Sequence, residues 1–230
     1  MIKNKKILAI IPARGGSKGI PKKNIIDFCG QPMIAYSINA ARQSKYADKI
    51  LISSDSEEIL SISERYGAQI IKRPEELAQD RSKMDDAIKH VLATLEQNEQ
   101  FRPDFIVLLQ PTSPLRTAET IDKAVEAFSE VADNFDSLIP LFPVTGKIGV
   151  IKDGAYKKLQ GEPGKQRQEL ESYYKECGTI FIFKPDLINA GKFYGDRIYP
   201  FIIEREAEAV DIDNFDDLEY AKYFKIKMNK

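Results

Sequence analysis

Cysteine and histidine are scarce in this chain of 230 residues, which contains two cysteines and one histidine. Cys29 and Cys177 are too few and too far apart in sequence for a disulfide framework or a cysteine-based metal site. They are typical of reduced thiols, so we expect a cytoplasmic protein. His90 lies off the apolar stripe of a predicted helix, where we expect it to be solvated. With no second histidine near a candidate nucleophile, the sequence disfavours a Ser-His-Asp hydrolase.

The sequence also lacks long apolar runs and an excess of charge of one sign. No segment approaches the roughly 20 apolar residues of a membrane span. The start of the chain superficially resembles a signal peptide, but its apolar run is short and β-branched and has no convincing cleavage region. The 34 basic and 35 acidic residues balance, whereas a dedicated nucleic-acid binder usually has a basic surface. We therefore expect no membrane and no nucleic-acid partner, and a small anionic ligand fits better.

The order of apolar and amphipathic segments predicts an α/β fold in a single domain, residues 1–230. With 43% hydrophobic residues the chain can bury one substantial core. Strand-like runs alternate with helical ones, which predicts βαβ units and a largely parallel sheet flanked by helices. Ligands of such sheets lie at the carboxyl ends of the strands. The alternating segments are residues 7–11, 33–42, 49–53, 57–66, 68–72, 84–95, 104–109 and 119–131.

After a further strand at residues 137–142 this alternation breaks. Asp153-Gly154, between the segments at residues 148–152 and 155–159, is a strong hairpin signal. Residues 160–172 are polar and contain two glycines and a proline, so we expect a mobile loop there. We therefore predict a protruding antiparallel arm or lid at about residues 143–176. Strands at residues 179–183, 198–203 and 209–212 and a helix at residues 216–225 are predicted to complete the chain.

The most informative segment is residues 5–24, where an apolar strand runs into a glycine-rich turn. Gly15, Gly16 and Gly19 lack a Cβ, so the backbone can take positive φ and approach a ligand closely. Four cations lie before, between and after them, namely Arg14, Lys18, Lys22 and Lys23. Free backbone N–H groups beside fixed positive charge predict a polyphosphate site. The alternative is an ordinary solvated turn after a buried strand, which four interleaved cations make less favoured.

Neither common nucleotide-binding motif matches this turn. A P-loop requires G-x-x-x-x-G-K-[ST], but Ile20 follows Gly19 and the later Gly146-Lys147 pair is followed by Ile148. A dinucleotide fingerprint requires G-x-G-x-x-G, but Arg14 occupies the position of the first glycine. The turn therefore predicts phosphate binding by a different arrangement.

Asp211 and Asp213 predict a divalent metal site late in the chain. They stand two residues apart at the end of the predicted strand 209–212, and a strand's period of two points both carboxylates to one face. Such oxygens suit Mg²⁺, which takes one or two carboxylates plus phosphates and water; Mn²⁺ is a possible substitute. The EF-hand pattern fails because Phe215 occupies its third ligand position. In the alternative reading, Asp213 caps the following helix.

Three further polar residues are candidates for ligand contacts. Gln110 follows five apolar residues at the carboxyl edge of the predicted sheet, and its amide can read hydroxyl or N-acyl groups because it both donates and accepts. Arg116 either contacts the ligand or ties its loop to the fold. Arg73 either approaches a nucleotide base or is a surface arginine at a strand end. For both arginines the two alternatives stay open.

Three motifs together resemble one family, the CMP-N-acylneuraminate synthetases, which are cytidylyltransferases that activate sialic acids. The motifs are residues 12–24, the Leu-Leu-Gln-Pro-Thr-Ser-Pro-Leu-Arg run at 108–116, and Asp-Ile-Asp at 211–213. They occur in the family's order and approximate spacing, and the similarity extends over nearly the whole chain. The resemblance implies a Rossmann-like nucleotide-diphospho-sugar transferase fold with a small antiparallel dimerisation arm, and hence a homodimer.

The resemblance also implies an activity, which is transfer of CMP from CTP to the anomeric hydroxyl of a nine-carbon acidic sugar, with release of pyrophosphate. The sugar would be N-acetylneuraminate or a related nonulosonic acid. Catalytic cations would be Lys23, Arg14 and Lys18, with Lys23 stabilising charge in the transition state unless it is merely a surface lysine. The implied nucleotide-binding set is Ala13, Arg14, Gly15, Gly16, Ser17, Lys18, Lys23, Asn24 and Arg73.

On the sugar side, the resemblance assigns Gln110 to the acyl sugar and Arg167 and Lys175 to its carboxylate. Lys175 stands where many relatives have a second arginine, and a lysine lacks the bidentate fork. Cys177 replaces an asparagine common in that motif, and Met84 lies near a position where relatives have serine. These departures leave cytidylyl transfer in place but weaken an exact assignment of the sugar.

Several alternatives remain open on sequence grounds. The acceptor could be legionaminic acid, pseudaminic acid, the eight-carbon Kdo or a neutral sugar phosphate. A non-catalytic nucleotide-binding regulator could keep the same fold. A glycosyltransferase could have a similar sheet and acidic pair, but it should not need the N-terminal triphosphate site. The main hypothesis requires the glycine-rich turn and the Asp211/Asp213 pair to meet in one pocket.

Overall fold

The structure is a computed structural model that describes residues 2, 4–144, 146–159 and 172–228. Its helices are α1 (Met33–Gln43), α2 (Glu57–Arg65), α3 (Met84–Glu99), α4 (Ala118–Val131), α5 (Pro185–Asn189) and α6 (Phe215–Met228). Short 3-10 helices lie at Lys23–Ile25, Glu75–Leu77 and Glu206–Ala209. The strands are β1 (Ile7–Pro12), β2 (Asp27–Phe28), β3 (Gln31–Pro32), β4 (Lys49–Ser54), β5 (Gln69–Lys72), β6 (Phe105–Leu108), β7 (Ser137–Val144), β8 (Gly149–Lys152), β9 (Ala155–Lys158), β10 (Tyr173–Glu176), β11 (Phe181–Phe183) and β12 (Ile198–Ile202).

The main sheet is mostly parallel, as the alternating segments predict. Strand β1 lies between β4 and β6, and β5 pairs with the outer side of β4, all in parallel. Beyond β6 comes the antiparallel strand β11, which also pairs with β7. Strand β10 pairs antiparallel with the second half of β7, and β12 pairs with β7 in parallel. The carboxyl ends of β1, β4, β5 and β6 therefore lie along the same edge.

Helices cover both faces of this sheet, and β1 shows why. Its residues alternate between two apolar clusters: Ile7, Ala9 and Ile11 pack with α1, α2 and α4, whereas Leu8 and Ile10 pack with α3 and α5. All six residues of β1 are buried, which is typical of a parallel strand covered on both faces. The stripe predicted on α1 by Ile34, Ile38 and Ala41 is fully buried.

The strand predicted at residues 209–212 is wrong. The chain forms the 3-10 helix Glu206–Ala209 and then continues without regular structure as far as α6. Tertiary contacts override the β-branched pattern here. The Glu208 carboxylate accepts hydrogen bonds from the hydroxyls of Thr117 and Thr120. The Thr179 hydroxyl donates to the Glu208 carbonyl at 2.7 Å.

The predicted hairpin is confirmed as β8 and β9, which form a two-stranded sheet of their own. Asp153 and Gly154 have φ of 55° and 76°, as the tight type I′ turn requires. The hairpin exposes Val150, Ile151 and Tyr156. Of the mobile loop predicted at residues 160–172, residues 160–171 lie outside the described part of the chain. The arm at about residues 143–176 therefore stays a prediction.

No helix within the described ranges combines the length and apolar character that a bilayer crossing needs.

Candidate active site

A cleft of about 600 Å³ lies at the carboxyl ends of the parallel strands. Arg14 follows β1, Arg73 follows β5 and Gln110 follows β6, and the segment before α6 closes the other side with Asp211 and Asp213. A larger cavity of about 1080 Å³ lies at the opposite edge of the sheet. None of the predicted site residues lines it, so the chemistry is concentrated in the smaller cleft.

The glycine-rich turn is fixed by hydrogen bonds from neighbouring strands and loops. The backbone N–H of Gly15 donates to Asp55 Oδ1 at 2.9 Å, and that of Ala13 donates to the Ser53 carbonyl at 3.0 Å. Asn24 is buried, and its Nδ2 donates to the Arg14 carbonyl at 2.9 Å. This hydrogen bond from Asn24 therefore stabilises the conformation of the turn.

The expectation that the three glycines take positive φ is wrong, since none of them lies in the left-handed region. Two of them are needed for space instead. A Cβ on Gly19 would lie 2.1 Å from the carbonyl oxygen of Asp213, and one on Gly15 would lie 3.0 Å from Ser56 Cβ. Around Gly16 there is open room. Gly19 thus lets the N-terminal turn pack directly against the acidic segment.

Lys23 joins the basic turn to the acidic segment. Its Nζ donates to the Ile212 carbonyl at 2.8 Å and pairs with Asp213 Oδ1 at 2.8 Å. The Lys23 side chain is only 15% exposed, so it is not an ordinary surface lysine. The glycine-rich turn and the Asp211/Asp213 pair therefore share one cleft, as the main hypothesis requires.

Asp80 is a cleft residue that the sequence analysis did not identify. Its Oδ1 lies 2.7 Å from Arg14 Nη1, and its Oδ2 lies 2.9 Å from Lys18 Nζ. These hydrogen bonds, from Lys18 first and then Arg14, lower the pKa of Asp80 below its ordinary value. The available signal was its place after β5, because loops that follow parallel strands border the ligand edge of the sheet.

Asp211 is half-buried, and its buried Oδ1 has no hydrogen-bond partner. Burial raises the pKa of this carboxyl, although a hydrogen bond with the Thr112 side chain acts in the opposite direction. Asp213 is exposed. Within the described ranges no group of three or more His, Cys, Asp or Glu side chains is placed to hold a metal. Two carboxylates, one with a free buried oxygen, still fit a cation that takes its other ligands from phosphate and water.

The helix-cap alternative for Asp213 is wrong, because its neighbour Asn214 caps α6. Asn214 Oδ1 accepts from the backbone N–H of Asp217 at 3.0 Å, and Asp217 Oδ2 accepts from the Asn214 N–H at 3.0 Å. This reciprocal pair is a capping box. The carboxylate of Asp213 remains available to the cleft.

Arg116 ties its loop to the fold. It is 3% exposed, and its guanidinium donates to the Gln110 carbonyl at 2.7 Å, to Ser37 Oγ at 3.0 Å and to the Thr179 carbonyl. Burial lowers the pKa of Arg116 to about 9. This network fixes the backbone of Gln110, whose side chain lines the cleft.

Gly178 is a second residue that the sequence analysis missed. A Cβ at this position would lie 2.8 Å from Gln110 Oε1, 2.9 Å from Ser113 Oγ and 3.1 Å from Asp211 Oδ2. Both Gln110 and Asp211 are predicted site residues, and Gly178 lies against both. A glycine between two distant motifs carries no sequence signal of its own.

The remaining predicted residues are placed as follows. Ser17 lines the cleft with Arg73, whose buried guanidinium donates to Ser53 Oγ at 3.0 Å and to the Ser53 carbonyl at 2.6 Å. The surface alternative for Arg73 is therefore wrong. Lys175 lies on β10, with its Nζ 5.9 Å from the ring centroid of Phe142, and does not line the cleft. Arg167 lies outside the described residues.

His90 differs from its prediction. The residue is half-buried, and its Nδ1 is buried without a hydrogen-bond partner. It faces a groove beside β5 rather than the cleft. The groove forms because α3 packs over the edge of the sheet, which helical periodicity alone does not reveal.

The fold and the cleft define an α/β protein whose cationic turn and acidic pair meet at the carboxyl edge of a mostly parallel sheet. A family model described as "Cytidylyltransferase" matches residues 8–228. The chain is 34% identical to the N-acylneuraminate cytidylyltransferase of Escherichia coli O18:K1:H7, over 98% of this chain and 53% of that protein. It is 36% identical to the CMP-N,N'-diacetyllegionaminic acid synthase of Legionella pneumophila, over 90% and 91% of the two chains. The chain belongs to the cytidylyltransferase family.

A solved structure supports the fold. The structure of CMP:2-keto-3-deoxy-manno-octonic acid synthetase complexed with CTP superposes with a TM-score of 0.72, covering 97% of this chain and 99% of that one at 17% identity. The Rossmann-like nucleotidyltransferase fold is therefore confirmed. The chain spans about half the length of the Escherichia coli relative.

Proposed function

We propose that the protein transfers CMP from CTP to the anomeric hydroxyl of a nonulosonic acid and releases pyrophosphate. The observation that carries this proposal is the meeting of Lys23 with the Asp211/Asp213 segment, since Lys23 Nζ lies 2.8 Å from Asp213 Oδ1. N-acetylneuraminate is the preferred acceptor, and legionaminic acid is the second candidate. The two relatives described above, which carry these two names, support that pair of candidates.

In this reaction the sugar hydroxyl attacks the α-phosphorus and pyrophosphate leaves. Arg14, Lys18 and those N–H groups of the turn that are not donated to Ser53 or Asp55 would hold the phosphates. Lys23 would stabilise charge on the phosphate oxygens. Gln110 would orient the acyl sugar with its amide. Lys175 and Arg167 would approach the sugar carboxylate from the arm. This step is part of the proposal because Lys175 does not line the cleft and Arg167 lies outside the described residues.

Asp211 and Asp213 would hold Mg²⁺, or Mn²⁺ in its place. The unpartnered Oδ1 of Asp211 supports this assignment, because a buried carboxylate oxygen is costly unless something binds it. When bound, the ion would neutralise phosphate charge and polarise the reacting phosphoryl group. Lys23 would then share Asp213 with the ion.

We further propose a homodimer formed through the arm, and a cytoplasmic location. The exposed apolar side chains of the β8–β9 hairpin, including Ile151 at 80% exposed, support the first proposal. The free thiols of Cys29 and Cys177 support the second.

The test is pyrophosphate release with CTP, Mg²⁺ and a panel of N-acetylneuraminate, legionaminic acid, pseudaminic acid and Kdo, with product masses measured. We expect a CMP adduct with a nonulosonic acid. Lys23→Ala should lower kcat by about 100-fold or more, as expected when a charge-stabilising donor is removed. Lys22→Ala is the matched control, since Lys22 pairs with Glu58 outside the cleft. CTP binding without turnover on any acceptor would favour the non-catalytic regulator.

A further inference from the structure

Two cations assigned to the triphosphate already share an anion of the protein itself. The two oxygens of Asp80 lie 2.7 Å from Arg14 and 2.9 Å from Lys18. Each carboxylate oxygen therefore contacts one cation, as two phosphate oxygens would. All three side chains line the cleft and keep contact with solvent, with exposures of 37% for Arg14, 75% for Lys18 and 53% for Asp80.

The segment that carries Asp80 also borders the cleft. Most of residues 77–84 line it, between the 3-10 helix Glu75–Leu77 and α3. This segment has hydrogen bonds of its own: Gln79 Nε2 donates to the Glu75 carbonyl at 2.9 Å, and Ser82 Oγ donates to the Glu76 carbonyl at 2.8 Å. The local fold of the segment therefore does not depend on the two ion pairs. The ion pairs join it to the turn after β1.

We propose that Asp80 is a positioning residue whose carboxylate holds Arg14 and Lys18 in the cleft and is displaced by the incoming phosphates. This inference rests on the proposed function, because it assumes that those two cations bind the triphosphate. A carboxylate carries one negative charge, whereas a triphosphate carries several. The triphosphate therefore binds Arg14 and Lys18 more strongly than Asp80 does and displaces its carboxylate. When pyrophosphate leaves, the Asp80 carboxylate pairs with Arg14 and Lys18 again.

Protonation cannot release Asp80 at neutral pH. Lys18 and Arg14 lower its pKa, so the carboxylate stays charged and only a competing anion displaces it. The ion pairs are solvent-exposed, and such pairs are weak enough to break on ligand binding. Asp80 thus orders the side chains of Arg14 and Lys18 before the phosphates bind, without holding them tightly.

The experiment is calorimetric titration of wild-type protein, Asp80→Asn and Asp80→Glu with inorganic pyrophosphate and with CTP, each in the presence of Mg²⁺. The asparagine oxygen can still accept one hydrogen bond, so one of the two cations keeps a partner while the competing charge is gone. We expect Asp80→Asn to bind pyrophosphate about two- to thirtyfold more tightly, the range given by two exposed ion pairs. Asp80→Glu, which keeps the charge, should bind like the wild type.

Glu58→Gln is the matched control. Glu58 is 53% exposed, like Asp80, and its Oε2 lies 2.7 Å from Lys22 Nζ, but neither partner lines the cleft. It should leave pyrophosphate affinity unchanged. In turnover assays, product inhibition by pyrophosphate should be stronger for Asp80→Asn by the same factor as the gain in affinity, a shift that a purely structural role would not produce.

Any of the following results would overturn the inference. Unchanged or weaker pyrophosphate binding by Asp80→Asn would mean that Asp80 stays bound to the cations or orients them for the ligand. An equal gain in Glu58→Gln would assign the effect to net charge. If the wild type binds neither CTP nor pyrophosphate, the proposed function fails and the inference fails with it. Wild-type CTP binding without a gain in Asp80→Asn would contradict the inference alone.

Discussion

At the scale of single residues, Asp211 is a proposed metal ligand whose charged carboxylate also lowers the stability of the metal-free protein. Its folded pKa is raised, mainly by burial, so the proton is held more tightly in the folded than in the unfolded state. The resulting stabilisation is fully present below the unfolded pKa and is lost as pH rises through the folded pKa. At neutral pH the charged carboxylate therefore destabilises the metal-free protein.

Asp211→Asn should accordingly raise the free energy of unfolding of the metal-free protein at pH 7 by about 1 kcal/mol, the scale of a poorly satisfied buried polar group. The same variant should lose the stabilisation that Mg²⁺ with CTP gives the wild type. Thermal unfolding in chelator and in Mg²⁺ with CTP measures both effects. Asp213→Asn is the control, because its carboxylate is 75% exposed and pairs with Lys23, so its loss should not raise metal-free stability. A less stable metal-free Asp211→Asn would contradict this reasoning.

Gly19 gives a second prediction. Its missing Cβ would lie 2.1 Å from the carbonyl oxygen of Asp213, so Gly19→Ala must push the turn away from the acidic segment. We expect a loss of about 1–3 kcal/mol in stability, as for other overpacked sites, and lower activity because Lys23 moves relative to Asp213. Gly16→Ala has open space and should keep the wild-type unfolding midpoint in urea. Equal midpoints for the two variants would show that the turn can move away from Asp213 without a loss in the free energy of unfolding.

The sequence predicted which residues share the cleft better than it predicted the contacts they make. The glycine-rich turn, Gln110 and the Asp211/Asp213 pair do share one cleft, because each follows a strand or precedes a helix at the same edge. Asn24 acts on the Arg14 carbonyl and Arg116 on the Gln110 carbonyl, which no motif shows. Asp80 and Gly178 escaped notice because their partners lie far away in the chain.

At the scale of elements, periodicity predicted most helices and strands because each has a local cause. Helix α4 begins after Thr117, whose hydroxyl accepts from the Thr120 N–H at 3.2 Å, and buries the expected Ile121, Val125 and Phe128. The failure at residues 209–212 has a non-local cause. There the hydrogen bonds of Glu208 with Thr117, Thr120 and Thr179 decide the conformation.

Thr117 makes this element testable. Thr117→Ala removes the N-cap of α4, so the free energy of unfolding should fall by about 1 kcal/mol. Thr117→Ser keeps the hydroxyl and should restore most of the loss, which urea unfolding measures. Because the same hydroxyl lies 3.3 Å from Glu208 Oε1, the alanine variant also loosens the segment that leads to Asp211. A serine variant as unstable as alanine would assign the effect to packing of the methyl group instead.

At the scale of the whole molecule, the described residues divide into a covered sheet and an uncovered hairpin. The inner strands β1 and β6 of the main sheet are fully buried, whereas β8 and β9 pair only with each other and expose Val150, Ile151 and Tyr156. An isolated hairpin is marginally stable in water, and exposed apolar side chains on it favour a partner surface. A second copy of the chain is the occupant that the family resemblance implies.

Ile151→Glu tests this assembly. Ile151 is 80% exposed in the single chain, so a charge there should be harmless to a monomer but should disrupt an interface by burying an unpaired carboxylate. Light scattering after size exclusion should give a dimer for the wild type and a monomer for the variant. Ile226→Glu on α6, where Ile226 is 57% exposed, is the matched control and should stay dimeric.

The Ile151→Glu monomer should still bind CTP, because Arg14, Lys18, Lys23 and Asp211 belong to one chain. It should use the sugar poorly if the arm supplies the carboxylate contacts. A wild-type monomer would show that there is no such interface. Dissociation by Ile226→Glu but not by Ile151→Glu would place the interface at α6 instead of the hairpin.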